Sequence, residues 1–119
     1  MNRMQKMVQD FHEAFEIVIN EDPTLDSKET QQLRINLIEE EFEELKEAYK
    51  NQDLLEVADA LGDLLYVVFG AAVSHGLDLD AIFREIHRSN MTKVGGHKGP
   101  DGKWIKPDSY SPANLTPFV

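Results

Sequence analysis

Glu56-Val-Ala-Asp59-Ala-Leu-Gly-Asp63-Leu-Leu-Tyr66-Val-Val-Phe69 sets three carboxylates inside a run that is otherwise almost wholly apolar. A helix predicted over Leu54 to His75 carries Leu55, Val57, Leu61, Leu64, Val67 and Val68 around nearly its whole circumference, which marks an interior helix. Laid out at 3.6 residues per turn, Glu56, Asp59, Asp63, Tyr66, Gly70 and Ser74 fall within a wedge of about 80°, so the acids share one side. Each carboxylate buried there meets a desolvation cost of several kcal/mol unless a cation compensates. The cation is either a structural base (Arg34, Arg3 or Lys6) or a metal ion.

Upstream, Met4, Met7, Val8, Phe11, Phe15 and Val18 recur at spacings of three and four, predicting a first helix over Met4 to Ile19 with one buried face. Asn20 to Ser27 holds a proline, turn formers and an N-cap at Asp26 or Ser27, and reads as a loop. A second helix follows from Lys28 to Lys50 with Ile38, Phe42, Leu45 and Tyr49 on its buried stripe, and Asn51-Gln-Asp53 makes a turn. Beyond the third helix, Gly76 is a C-terminal cap, and Asp78 or Asp80 caps a fourth helix through Ile82, Phe83 and Ile86 to about Asn90. Gly62 and Gly70 lower helix propensity, which suggests close helix approach. The chain thus divides into a helical domain over residues 1–94 and an irregular Gly/Pro-rich tail over residues 95–119, where Pro100-Asp-Gly102 is a turn signal compatible with a short hairpin. No internal repeat is present. The expected fold is all-α: a four-helix bundle with a C-terminal tail.

The second helix carries its own acids in Glu39-Glu-Glu-Phe-Glu-Glu44. A charge run is commonly a solvated face, and at 100° steps Glu39, Glu43 and Glu47 point outward. Glu41 and Glu44 border the packed stripe with Leu37 and Ala48, and Glu40 sits at the boundary. Clustered hard oxygen donors without cysteine select Mg²⁺ or Mn²⁺ over Zn²⁺. A di-iron bundle would need Glu three residues before inward histidines, yet Gln9, Ala72, Arg84 and Val94 precede His12, His75, His87 and His97. The histidines read as surface residues or as supports behind a site.

At 119 residues the chain is the size of one modest domain with one core. Twelve Lys and Arg against 22 Asp and Glu give a net charge of −10, which argues against a broad electrostatic grip on nucleic acid or anionic membrane and requires cations to mediate any polyanion binding. With no cysteine there is no disulfide, thiolate metal site or thiol nucleophile. Met1-Asn-Arg-Met lacks the apolar run of a signal peptide, and Ala60 to Ser74 is interrupted by Asp63 and too short to cross a bilayer. A cytoplasmic setting is expected.

Glu40-Glu41-x-x-Glu44-Leu45 followed by Ala60-Leu-Gly-Asp63-Leu-Leu-Tyr66 resembles the all-α nucleoside triphosphate pyrophosphohydrolases: MazG-like proteins, dimeric dUTPases and phosphoribosyl-ATP pyrophosphohydrolases. The likeness extends from Leu33 to Lys93. It implies a MazG-like bundle in which an EExxE motif and an ExxD motif hold Mg²⁺, with Mn²⁺ able to substitute, against substrate phosphates. The residues carried over are Glu41, Glu44, Glu56, Asp59 and Asp63 as metal ligands, with Glu40 or Glu44 accepting a proton from water. Two assignments of the second motif stay open. Taking Asp63 as its aspartate puts Ala60 where the family has Glu; taking Glu56-Val-Ala-Asp59 makes Asp63 an additional acid.

The resemblance further implies hydrolysis of a (deoxy)nucleoside triphosphate between its α and β phosphates, giving monophosphate and pyrophosphate, with Arg88, Asn90 and Lys93 meeting the substrate. Lys98, Lys103 and Lys106 could close over phosphates or form solvated surface, and Trp104 and Tyr110 read first as packing the tail and second as stacking on a base. A short chain cannot by itself cover a helix apolar on nearly all sides, so a homodimer or dimer of dimers is expected. The competing class is a non-catalytic, metal-binding helical module acting as a regulatory partner.

Overall fold

The computed structural model describes residues 1–119, arranged as α1 (Arg3–Ala14), α2 (Lys28–Lys50), α3 (Leu54–His75), α4 (Leu79–Met91), β1 (His97–Lys98), β2 (Trp104–Ile105) and a 3₁₀ turn at Thr116–Phe118. The chain is all-α, as the periodicity predicts. Local capping chemistry fixes the long helices. Ser27 Oγ accepts from Thr30 N at the start of α2, and Asp53 Oδ1 accepts from Glu56 N at the start of α3. Gly76 ends α3 at φ 68°, where an added Cβ would collide with the Asp22 carbonyl. Asp78, the nearer of the two candidates, caps α4.

The first helix stops at Ala14, not Ile19. Glu16 turns left-handed at φ 56°, and the β-branched run Ile17-Val18-Ile19 is a poor continuation of a helix. The returning strand of chain is tied down by His12, whose Nδ1 lies 3.0 Å from Val18 O, and by Ser74 Oγ, which donates to the same carbonyl at 3.0 Å. His12 is buried, which rules out a surface place for this histidine and leaves it as a support.

α3 is the axis: α2 runs back along one side of it and α1 lies along another. The core cluster is Val8, Phe69 and Val73, with Ile19 and Leu79 packed against it. α4 leaves this core after its first turn, held by Gln5, which accepts from Leu79 N and donates to Leu77 O. The tail then folds back on α4, where Arg88 reaches Ser111 Oγ and Pro112 O and Glu85 accepts from Asn114 N. The turn signal at Pro100-Asp-Gly102 does close a two-stranded antiparallel hairpin, pairing His97 with Ile105 and Lys98 with Trp104.

Several apolar stripes do not find a partner within the chain. α1 buries Gln5, Val8 and His12, while Met4, Met7, Phe11, Phe15 and Val18 stay exposed. Phe42 and Tyr49 of α2 are exposed too, because its inner side is set by Thr30, Arg34 and Ala48. α3 is interior on one side only, and Leu54 and Leu55 at its start are 81% and 80% exposed. The Cα radius of gyration is 17.1 Å, against about 13.5 Å for a compact chain of this length. Gly70 is a close-approach position, since an added Cβ would strike Arg34 Nη2, whereas Gly62 faces open space. The 22-residue α3 is longer than its apolar stretch and is long and apolar enough to cross a membrane by length and composition. Its three carboxylates lie on one side, and it packs against both α1 and α2.

Candidate functional site

α2 and α3 form a hairpin, closed where Asp53 N donates to Ala48 O. Each step back along α2 from that turn therefore meets an equal step forward along α3. Arg34 comes level with Gly70, Glu41 with Asp63, and Glu44 with Ala60 and Asp59. Acids scattered over the sequence converge on one seam. Carboxylate oxygens of Glu41, Glu44 and Asp63 lie within 4.8 Å of one another. Next to them, Glu44, Glu47, Glu56, Asp59 and Ala60 line a cleft of about 320 Å³. Glu44 belongs to both groups and joins them.

No base neutralises this seam. The ion pairs of the chain join Lys6 to Asp10, Lys46 to Glu43, Arg84 to Asp80, Arg88 to Glu85 and the N-terminus to Asp78. None of Arg34, Arg3 and Lys6 bridges an acid of the seam. Arg34 is buried two turns before Glu41 on α2 and donates from Nη2 to Val67 O at 3.2 Å. Burial lowers its pKa and that of His12.

The uncompensated charge appears in the titration of the acids. Glu41 is pushed up to about 7, first by burial, then by a hydrogen bond to Glu44 that only the protonated acid can make, then by the charges of Glu44, Asp63 and Glu40. Asp63 is raised by burial and by the charges of Asp59 and Glu44. Glu41 Oε2 is buried without a hydrogen-bond partner. An orphaned carboxylate oxygen beside two further carboxylates fits a hard divalent cation, whose binding replaces the missing partner.

Of the acids singled out from sequence, Glu41, Glu44, Glu56, Asp59 and Asp63 border this seam. Glu40 is exposed outside the cleft lining and acts on Glu41 through its charge. Glu47 lines the cleft, although the helical wheel turns it outward. The wheel measures direction around α2 alone; hairpin register, which puts Glu47 beside Glu56, is the signal that finds it. Asn90 and Lys93 line a different cleft with Val94 and Trp104. Arg88 is engaged with Glu85 through Nε at 2.7 Å and Nη2 at 2.9 Å and with the tail, so it braces the fold. Lys106 lies over the Tyr110 ring at 4.5 Å, consistent with Tyr110 packing the tail.

The fold and the site together define a helical protein with an acidic seam, fit for a divalent cation, between two antiparallel helices. The sequence model of the phosphoribosyl-ATP pyrophosphohydrolase family matches residues 8–90, and the chain belongs to that family. It is also 44% identical over 55 residues to the uncharacterized protein L479 of Acanthamoeba polyphaga mimivirus. The matched segment covers 46% of this chain and 22% of that protein, so the chain spans only about a fifth of this relative.

Proposed function

We propose that the protein is a Mg²⁺-dependent nucleoside triphosphate pyrophosphohydrolase that cleaves between the α and β phosphates of a (deoxy)nucleotide, releasing monophosphate and pyrophosphate. The observation that carries this is the meeting of Glu41, Glu44 and Asp63 within 4.8 Å with no basic partner. Acids held together against their own repulsion lower stability and are kept for a ligand. That geometry favours Asp63 as the aspartate of the second motif, with Ala60 in its glutamate position and Glu56 and Asp59 supplying further oxygens from the adjoining cleft.

Glu41, Glu44 and Asp63 would hold the ion, Mg²⁺ or Mn²⁺, which on binding supplies charge neutralisation for the phosphates and a more acidic water. Glu44 belongs to both the trio and the cleft, so one of its oxygens can face the ion while the other is placed to take a proton from an attacking water. Glu40, outside the cleft, tunes Glu41 electrostatically. The uncovered faces of α1 and α3 support a homodimer or dimer of dimers, in which further helix surface is buried.

The test is pyrophosphate release from a panel of dNTPs, NTPs and phosphoribosyl-ATP, with and without EDTA. Release that stops in EDTA and returns with Mg²⁺ or Mn²⁺ is the expected outcome, and the same panel identifies base and sugar preference. Metal binding with no product from any substrate would instead assign the chain to the non-catalytic regulatory modules.

A further inference from the structure

The end of α4 and the hairpin border a second cleft, shallow and open to solvent, of about 270 Å³ and lined by Asn90, Lys93, Val94 and Trp104. Trp104 is held there in an unusual way. Its indole Nε1–H donates to the Lys93 carbonyl at 2.8 Å. Gly96 makes room for that edge, since a Cβ on it would lie 2.7 Å from Nε1 and would also collide with the Ile105 carbonyl. The polar edge of the ring is therefore satisfied and fixed, while 47% of the residue stays exposed. A tryptophan used for packing hides its rings. One pinned by its edge with its rings partly bare offers a stacking surface.

The surroundings suit a nucleotide. Lys93 brings a positive charge to the cleft, and Asn90 an amide that can donate and accept. The chain is also electrically divided: Arg84 is paired with Asp80 and Arg88 with Glu85, and the remaining Lys93, Lys98, Lys103 and Lys106 stand against Asp101 and Asp108, a surplus of two positive charges in a protein of net charge −10. We infer that this cleft binds the base and ribose of the nucleotide, with the base stacked on the Trp104 indole, and that it sets base preference. The inference rests on the hydrolase function proposed above. Trp104 lies beyond the residues 8–90 matched by the family, whereas Asn90 lies within them, so it is the stacking surface that would be added by the chain's own C-terminal segment.

Trp104 is the single tryptophan of the chain, so its emission reports the ring directly. The full-length protein with Mg²⁺ is titrated with α,β-methylene analogues of the four common dNTPs and of dUTP, and in parallel with inorganic tripolyphosphate. Saturable quenching by at least one nucleotide analogue and none by tripolyphosphate is expected. Trp104→Phe, which keeps a ring, should retain turnover with KM within about 5-fold, and Trp104→Ala should raise KM roughly 5- to 150-fold, the range for one lost base stack, with little change in kcat. Turnover accompanied by unchanged emission, equal quenching by tripolyphosphate, or a wild-type KM in Trp104→Ala would overturn the inference and leave the hydrolase standing. Quenching by a nucleotide analogue with no pyrophosphate release from any substrate would support the cleft and sink the hydrolase proposal.

Discussion

Glu41 and Asp63 face one another across the α2–α3 hairpin, each ten steps from the turn that joins the helices, with their carboxylate oxygens within 4.8 Å. Both are raised above their ordinary pKa, and for both the first cause is burial. Two groups that penalise each other in the free protein would be stabilised together by one cation of the kind proposed above, turning repulsion in one state into affinity in the other.

Glu44→Gln removes charge from the residue shared by the trio and the cleft without removing bulk. Turnover should fall ~100-fold or more, beyond the usual cost of losing an outer ligand support. Asp59→Asn should also suppress turnover. Because each relieves like-charge repulsion, the thermal midpoint without metal should hold or rise. Circular dichroism melts beside pyrophosphate assays check this; loss of fold in both variants would mark the carboxylates as structural.

The pH dependence of metal binding follows from Glu41. Its folded, metal-free pKa is raised from 4.5 to about 7, so its protonated form stabilises the fold fully below pH 4.5 and that contribution is lost as pH rises through about 7. His12 acts in the opposite sense: burial lowers it from 6.5, and its contribution, present above that value, is lost as pH falls through the depressed one. Mg²⁺ held as proposed would need the ionised Glu41. At fixed free Mg²⁺ the metal-induced rise in melting temperature should grow between pH 4.5 and about 7 and then level off. Equal shifts in acid and at neutrality, measured by differential scanning fluorimetry, would remove Glu41 from the ligand set.

The termini of α2 and α3 are readable from single residues because Ser27, Asp53 and Gly76 act locally: an N-cap or a left-handed C-terminal glycine works wherever the helix lies. The end of α1 is not readable from apolar spacing, since Val18 continues the stripe while its carbonyl is held by His12 and Ser74 from elsewhere in the fold. Glu41, Glu44, Glu56, Asp59 and Asp63 are found from helical phase and motif, but Glu47 requires the register between two helices. Arg34 is the reverse case. Its charge makes it the obvious counterion, yet Gly70 opens a slot that takes the guanidinium away from the acids.

That slot is itself testable. A Cβ at position 70 would strike Arg34 Nη2 and approach His12 Nε2 to 3.3 Å, and both side chains are buried. Gly70→Ala ordinarily strengthens a helix, but here overpacking should win and destabilise the protein by about 1–3 kcal/mol. Urea unfolding at constant m-value measures the change. A stabilised Gly70→Ala variant would show that the guanidinium moves aside freely.

Oligomerisation gives the last test. Met4, Met7, Gly62, Leu65 and Tyr66 line an apolar groove of about 270 Å³ between α1 and α3, and the exposed Phe11 packs edge-on to Tyr66 at 5.7 Å beside it. Gly62 has nothing within 4 Å in the single chain, so a helix from a second copy could approach there closely. Leu65→Glu places a charge in that groove while leaving the acids of the opposite seam untouched. Light scattering should give the wild type at twice or four times 13.6 kDa and the variant at the monomer mass. The wild-type melting temperature should rise with protein concentration and the variant's should not, because only association couples stability to concentration. A wild type that is monomeric at micromolar concentration would mean that these apolar faces remain in water, and the homodimer would be withdrawn.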